Sequence, residues 1–231
     1  CDVVPERMDE ALVRAGVNPN AVRKYTDYMN MVLLEQLDLV AIATDSGSHA
    51  TIGLDCINFG CHVIIEKPIA LSISDADRLV HAAKRRRVVL CSCHQNRFNK
   101  SIQKLREAVE ENRFGRLLHG AAHIRWSRGR DYYEHASWRG TWASDGGALM
   151  NQCLHNIDLL RWMMGDGIEE VFAYTARLKH DYIEAEDLGL ALVKFSNGAY
   201  GIIEGTTNVY PKNLEETLYV FGENGTVKVG G

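Results

Sequence analysis

A chain of 231 residues with 46% hydrophobic side chains can bury the core of one large domain or two modest ones. A formal charge of -4 gives no broad basic surface for nucleic acid, and no apolar run approaches the roughly 18 residues of a membrane span. With no charged-then-apolar leader and six cysteines that form no C-x-x-C pair, the expected setting is the cytoplasm, with the thiols reduced and mostly buried.

Residues 6 to 15 read as a short helix ended by Gly16 and Pro19, residues 22 to 28 as a short strand and loop, and residues 31 to 36 as a helical turn. Leu37 to Thr44 has the pattern of a buried strand, and Asp45-Ser-Gly-Ser-His49 supplies small polar residues to cap a helix running to Gly60. The strand His62 to Glu66 follows, and its Val-Ile-Ile run suits burial on both faces of a parallel sheet. Pro68 cannot donate to a ladder, so it ends this strand and leaves Glu66 and Lys67 at the carboxyl edge, where open α/β sheets bind ligands. Ser72 starts another helix, with acids in its first turns and Lys84 to Arg87 at its end, and Val88 to Cys91 is a third strand. Three alternations of strand and helix with short loops predict a partial doubly wound parallel sheet, a Rossmann arrangement, over residues 1–93.

Past Cys93 the rhythm changes. The pattern predicts a charged amphipathic helix over 99–112, a long strand over 117–128 and one apolar helix over 147–164. Strands follow at about 168–178, 187–195, 199–207 and 216–221, with Ser196-Asn-Gly198 as a hairpin turn. Residues 94–231 are therefore expected to form an α+β domain around a mostly antiparallel open sheet. The chain opens without an initiator Met and closes on Thr226-Val-Lys-Val-Gly-Gly231, a strand pattern cut in mid-course, so truncation at both ends is expected.

Three stretches carry residues suited to chemistry. Glu66-Lys67-Pro68 presents an acid and an amine at a strand end, and a solvated ion pair is the structural alternative. In the apolar helix, Asn151, His155 and Asp158 fall on one helical face beside Gln152. A hydrogen-bonded core histidine explains one polar residue there; several buried together call for a purpose, and histidine titrates where it can accept a hydroxyl proton. Between these lie Arg125-Trp-Ser-Arg-Gly-Arg-Asp-Tyr-Tyr133 and Trp138-Arg-Gly-Thr-Trp142, in which arginines alternate with aromatics. Arg128, Tyr132 and Tyr133 are thus candidates to grip a carboxylate or pyrophosphate and to stack on a sugar or base, a sheet edge with snorkelling arginines being the alternative.

In their order along the chain, Thr44-Asp-Ser-Gly-Ser-His49, Glu66-Lys67-Pro68 and Gly146-Gly147 with Asn151-x-x-x-His155-x-x-Asp158 resemble the Gfo/Idh/MocA family of nicotinamide-dependent sugar oxidoreductases. Within it, Trp138-Arg-Gly-Thr-Trp142 and Leu149-Met-Asn-Gln152 are most similar to UDP-N-acetylglucosaminuronate 3-dehydrogenases. The resemblance implies NAD as cofactor, with NADP left open, and transfer of a hydride from a ring hydroxyl, at C3 of a nucleotide-linked sugar. It implies Lys67 and His155 as the catalytic pair, with His155 as base and the Lys67 ammonium on the oxygen, or the reverse if burial depresses the lysine. By the same resemblance Asp2, Thr44, His49, Glu66, Lys67, Arg97, Trp138 and Arg139 line the dinucleotide, while Arg128, Tyr132, Tyr133, Asn151, Gln152 and Asp158 meet the substrate. A homo-oligomer formed through the antiparallel sheet is also implied, with no metal, nucleic acid or membrane partner.

Two departures from the family pattern stand out. The G-x-G-x-x-G turn that cradles a pyrophosphate is not in this sequence, and many members carry Asp where this chain has Asn151, which leaves Lys67 and His155 to manage the proton. Two other classes compete with this reading. One is a metal-dependent hydrolase or isomerase using some of His49, His94, His123, His155 and Asp158; the other is a non-catalytic, truncated sugar-binding paralogue.

Overall fold

The computed structural model describes residues 1–165 and 167–231. They form two compact units: residues 1–44, 48–66 and 72–92 make the first, and residues 45–47, 67–71 and 93–231 the second. Glu66 therefore closes a segment of the first unit and Lys67 opens a segment of the second.

The first unit runs α1 (Pro5–Arg14), a 3-10 turn (Pro19–Ala21), α2 (Tyr28–Leu34), β1 (Leu39–Ile42), α3 (His49–Asn58), β2 (His62–Ile65), α4 (Ile73–Arg86) and β3 (Leu90–Ser92). The strands pair in parallel in the order β1-β2-β3, as βαβ units require. Ser72 caps α4 by accepting the Asp75 N–H at 3.1 Å, and the basic residues Lys84, Arg85 and Arg86 fill its last turn. Ser48 occupies the N-cap position of α3, but its hydroxyl donates to Thr44 Oγ1 at 2.7 Å and does not cap a backbone N–H.

Two expectations change here. The strand expected within residues 22–28 does not form: Asp27 turns the chain there by accepting the Met29 N–H at 2.9 Å and opens α2. The Val-Ile-Ile strand is buried on one face only. Val63 and Ile65 have no exposed surface, whereas Ile64 is 36% exposed, because α3 and α4 pack together on a single side. Gly53 of α3 permits that packing, since a Cβ there would stand 2.8 Å from Ile65 Cδ1 and 2.9 Å from Leu79 Cδ2.

In the second unit a 3-10 turn (Gln95–Phe98) leads to α5 (Lys100–Glu110), β4 (Leu117–Arg125), α6 (Arg130–Glu134), α7 (Gly147–Asn151), α8 (Leu154–Met164), β5 (Ile168–Ala176), β6 (Leu188–Phe195), β7 (Tyr200–Thr206), β8 (Glu215–Gly222) and β9 (Gly225–Gly230). Among the described residues the sheet order is β5-β6-β7-β4-β8-β9, antiparallel except for the parallel pair β4-β7. The helix expected over 147–164 is broken at Gln152–Cys153, where both of their N–H groups turn back to the Ala148 carbonyl. The break divides Asn151, on α7, from His155 and Asp158, on α8, so the single helical face expected to carry all three does not exist.

One sheet face holds the core. Ile102 and Leu105 of α5 and Leu159, Leu160, Met163 and Met164 of α8 cover Ala122, Ile124, Val193, Phe195, Leu218 and Val220. Cys56, Cys61 and Cys153 are buried free thiols, and Cys1 and Cys91 are exposed free thiols. Burial pushes the Cys153 thiol up to about 12. Among the described residues no helix is long and apolar enough to cross a membrane. Phe195, 1% exposed, sits at the centre of this core. Phe195→Ala is expected to cost about 3–5 kcal/mol, read as a lowered midpoint of chemical denaturation with native-like circular dichroism retained.

Candidate active site

The second unit gathers a polar cluster at the α7–α8 break. Asn151 is the last residue of α7, and the last carbonyls of a helix lack intrahelical partners. Lys67 Nζ donates to the Asn151 carbonyl at 2.9 Å and to its side-chain oxygen at 3.3 Å. Lysine can only donate, so the amide turns its oxygen to Lys67 and its NH2 to Asp145, with which it hydrogen-bonds through Oδ1. Asp145 Oδ2 accepts the Gly140 N–H at 2.6 Å. His155 lies in the first turn of α8, its Nε2 at 3.4 Å from Gln95 Nε2.

Gln152 extends the cluster. Its NH2 donates to Asn151 Oδ1 and to the Tyr132 hydroxyl, both at 2.9 Å, and its oxygen accepts Arg128 Nε at 3.0 Å. The Arg128 and Arg139 guanidiniums lie over the Tyr132 ring at 5.2 and 4.2 Å from its centroid. Arg128 also donates to the Ser127 carbonyl and Asn213, and Arg139 donates to the Tyr132 carbonyl; all these acceptors are neutral. Among the described residues no carboxylate forms an ion pair with either arginine, and the charge of Arg139 is felt by the buried Asp145 carboxyl. Trp138 lies beside Arg139, 5.5 Å from ring centroid to guanidinium carbon.

Other expected site residues are committed elsewhere. Tyr133 is buried, its hydroxyl 3.0 Å from Thr207 Oγ1, and burial raises it to about 12, so it packs the wall behind Tyr132. Asp158 forms a bidentate pair with Arg97, Nε to Oδ2 at 2.7 Å and Nη2 to Oδ1 at 2.5 Å, over the Trp162 ring. His94 stands 3.6 Å from the same carboxylate. Of the histidines considered for a metal, His49 opens α3 in the first unit and His123 lies on β4 beside Glu215. Among the described residues no three His, Cys, Asp or Glu side chains converge on a cation position.

In the first unit the expected cofactor residues mark the carboxyl ends of parallel strands: Thr44 beyond β1 and Glu66 beyond β2. His49 is 1% exposed, with Nε2 3.2 Å from the Thr44 carbonyl, so it ties the start of α3 to the end of β1. Ser92 at the end of β3 has a buried hydroxyl with no hydrogen-bond partner among the described residues. A row of hydroxyl and carboxylate groups on that edge, one of them buried and unsatisfied, fits the ribose and amide groups of a dinucleotide. Asp2 accepts the Val4 N–H at 2.9 Å through one carboxylate oxygen.

Four consecutive residues that the sequence did not single out brace the cluster. Glu184 accepts the Trp142 N–H at 3.1 Å, the Glu184 and Ala185 N–H groups both reach the Gly140 carbonyl, and Glu186 accepts the Leu149 N–H at 2.9 Å. Gly147, at a φ of 90°, is required here because a Cβ would run into the Glu186 carboxylate. Burial raises Glu186, while the Leu149 N–H pulls it back. Asp187 accepts the Leu178, Lys179 and His180 N–H groups and the Asn208 amide, each at 2.9 Å. Burial alone would raise Asp187; the Asn208 amide and those N–H donors outweigh it and hold the carboxyl below its ordinary value. Beside it, burial lowers His180. The sequence signal for this brace was an acid-rich Glu184-Ala-Glu-Asp187 immediately before a strand.

Residues 102–228 match the family model described as the GFO/IDH/MocA C-terminal domain, and residues 4–94 match the one described as an oxidoreductase family with an NAD-binding Rossmann fold. Similar solved structures include the WlbA dehydrogenase from Bordetella pertussis in complex with NADH and UDP-GlcNAcA, 40% identical over the whole chain with a TM-score of 0.93. The WlbA dehydrogenase from Chromobacterium violaceum, with the same two ligands, is 41% identical over the whole chain, also with a TM-score of 0.93. Myo-inositol 2-dehydrogenase from Thermotoga maritima is 28% identical over 98% of the chain. The chain spans 65% of the length of each of these three proteins.

Because its pKa is depressed in the fold, Asp187 contributes stability that is complete above the unfolded value of about 3.9 and is lost as pH falls through the folded value. Asp187→Asn turns an NH2 toward backbone donors and is expected to cost about 2–3 kcal/mol at neutral pH. The gap to the parent should narrow below about pH 4, as followed by denaturation midpoints across pH.

Proposed function

Because the chain belongs to the GFO/IDH/MocA family of oxidoreductases, we propose that it serves NAD-dependent oxidation of a sugar hydroxyl, with Lys67 and His155 managing the alcohol proton. The observation that carries this reading is the seat of Lys67 on the last carbonyl of α7 and on the Asn151 amide, with His155 four residues further on at the start of α8. Two oxygen acceptors and the negative end of a helix favour the ammonium form, which suits Lys67 to hydrogen-bond the alcohol oxygen. Histidine, neutral near physiological pH, is suited to take the proton. NAD, when bound, supplies the acceptor for the hydride. Thr44, Glu66 and Ser92 would hold it along the carboxyl edge of β1 to β3, and Asp2 would face its adenosine ribose.

The substrate class follows from charge. Arg128 and Arg139 flank Tyr132, and among the described residues neither forms an ion pair with a carboxylate, an arrangement suited to the carboxylate or diphosphate of a nucleotide-linked sugar acid. The relatives crystallised with UDP-GlcNAcA support that class, and C3 of the sugar is the position proposed for oxidation. The buried free thiols of Cys56, Cys61 and Cys153 suit a reducing compartment, so the cytoplasm is the proposed setting, which localisation of a tagged full-length protein checks.

A second copy of the chain is the proposed cover for the outer sheet face. Phe172, Leu192 and Ile202 stand in register across β5, β6 and β7, joined by Tyr174, Leu190 and Tyr200, and each is at least 43% exposed. The charges on this face are already satisfied: Arg125 binds Glu204 and Glu215, and Lys194 binds Glu169 and Glu170. Such a face suits its own image better than a partner of opposite charge.

In the intact enzyme, Lys67→Met is expected to lower turnover of UDP-GlcNAcA by about a hundredfold or more, read as NADH formation. Undiminished turnover would refute the assignment. Leu192→Glu should convert the assembly to monomers by light scattering after size exclusion, and a parent protein that is monomeric at micromolar concentration would end the second-copy proposal.

A further inference from the structure

We propose that Asp145 is the charge counterpart of Lys67, acting through the Asn151 amide, and that it keeps Lys67 an ammonium so that His155 alone accepts the substrate proton. The last clause rests on the function proposed above; the coupling of Asp145 to Lys67 does not.

The Asp145 carboxylate stands one hydrogen bond beyond the amide oxygen that receives Lys67. Lys67 donates to Asn151 Oδ1, and the NH2 of the same amide donates to Asp145 Oδ1. An amide is polarised end to end, so a negative charge at its NH2 strengthens the acceptor at its oxygen. Both Asp145 oxygens accept N–H donors, from Asn151 and from Gly140 at 2.6 Å, the pattern of an ionised carboxylate. Asp145 is only 4% exposed, so its field is little screened by water. Burial raises the Asp145 carboxyl, and the Gly140 N–H, the Asn151 amide and the charges of Lys67 and Arg139 pull it back toward ionisation; Glu186 and Tyr133 nearby are themselves raised in part by its charge. Glu66 precedes Lys67 along the chain.

An ammonium held in this way can donate to an alcohol oxygen but cannot take its proton. Asp145 touches neither substrate nor cofactor in this scheme, so it is a positioning residue. Its Gly140 contact also fixes the loop that carries Trp138 and Arg139, so a loss of activity alone would not distinguish its charge from its structural role.

The distinguishing experiment titrates Lys67 directly in the intact protein, by competitive acetylation across pH with peptide mass spectrometry. Asp145→Asn is expected to lower the Lys67 midpoint by about one pH unit, because removing a nearby opposite charge disfavours the ammonium. Adding Asn151→Asp to that variant should restore the midpoint. Lys67→Met keeps Asp145 in place and supplies the reciprocal reading: the Asp145 carboxyl, followed by carbon-13 NMR, should then titrate at higher pH. A Lys67 midpoint unmoved by Asp145→Asn, or an Asp145 titration unmoved by Lys67→Met, overturns the coupling. Neither measurement depends on turnover, so an unmoved midpoint leaves the oxidoreductase assignment standing, whereas full activity in Lys67→Met removes that assignment and leaves the coupling intact.

Discussion

The second unit is built around a lysine held on the end of a broken helix. In an unbroken helix the carbonyl of residue 151 would be a regular acceptor within the i to i+4 ladder. The interruption at Gln152–Cys153 makes Asn151 a helix end, and the Lys67 ammonium lies 2.9 Å from its carbonyl. The same interruption starts a new helix whose first turn carries His155. One backbone irregularity thus supplies both a seat for a cation and a mount for an imidazole, at the cost of a regular turn of helix.

The brace behind this joint is acidic, and two of its three carboxylates, Glu186 and Asp187, are buried. Glu186 and Asp187 are 7% and 0% exposed, and burying carboxylates is expensive unless each finds donors. They find them in backbone N–H groups: Leu149 at the start of α7, and Leu178 to His180 in the loop before β6. Backbone donors do not change with side-chain substitution, so this segment fixes the Gly140 loop and α7 largely independently of the residues they display. Its function is rigidity: the arginines and amides of the cluster stand on elements whose own polar groups are already satisfied.

Charge pairing distinguishes two arginine-bearing surfaces of the second unit. On the outer sheet face Arg125 is shared between two glutamates, and its hydrogen bonds lower the Glu204 carboxyl from its ordinary value. Three residues along, Arg128 binds only neutral oxygens and stacks on Trp126 and Tyr132. The first arginine is electrically closed and contributes to a face that can be covered by apolar contact. The second has only neutral acceptors among the described residues, which suits it to the anion proposed above.

Much of the fold was legible because it is local. The alternation of apolar runs with Gly, Pro and capping residues marked β1, β2, α4 and the strands of the mixed sheet, and Ser72 and Pro68 marked a helix start and a strand end. Lys67 was legible as an amine at a strand end, and Asn151, Gln152 and His155 as polar residues in an apolar stretch; only the family resemblance joined the two. What the residues alone could not decide depended on contacts distant in sequence. Whether Ile64 is covered depends on which side two helices pack, and the start of α7 is held by Glu186 from 37 residues away along the chain. Asp145 read as an acid before two glycines, and only the tertiary structure puts its carboxylate against the amide that holds Lys67. Periodicity and capping are written within a few residues of the chain, whereas the partner of a buried charge is chosen by the fold.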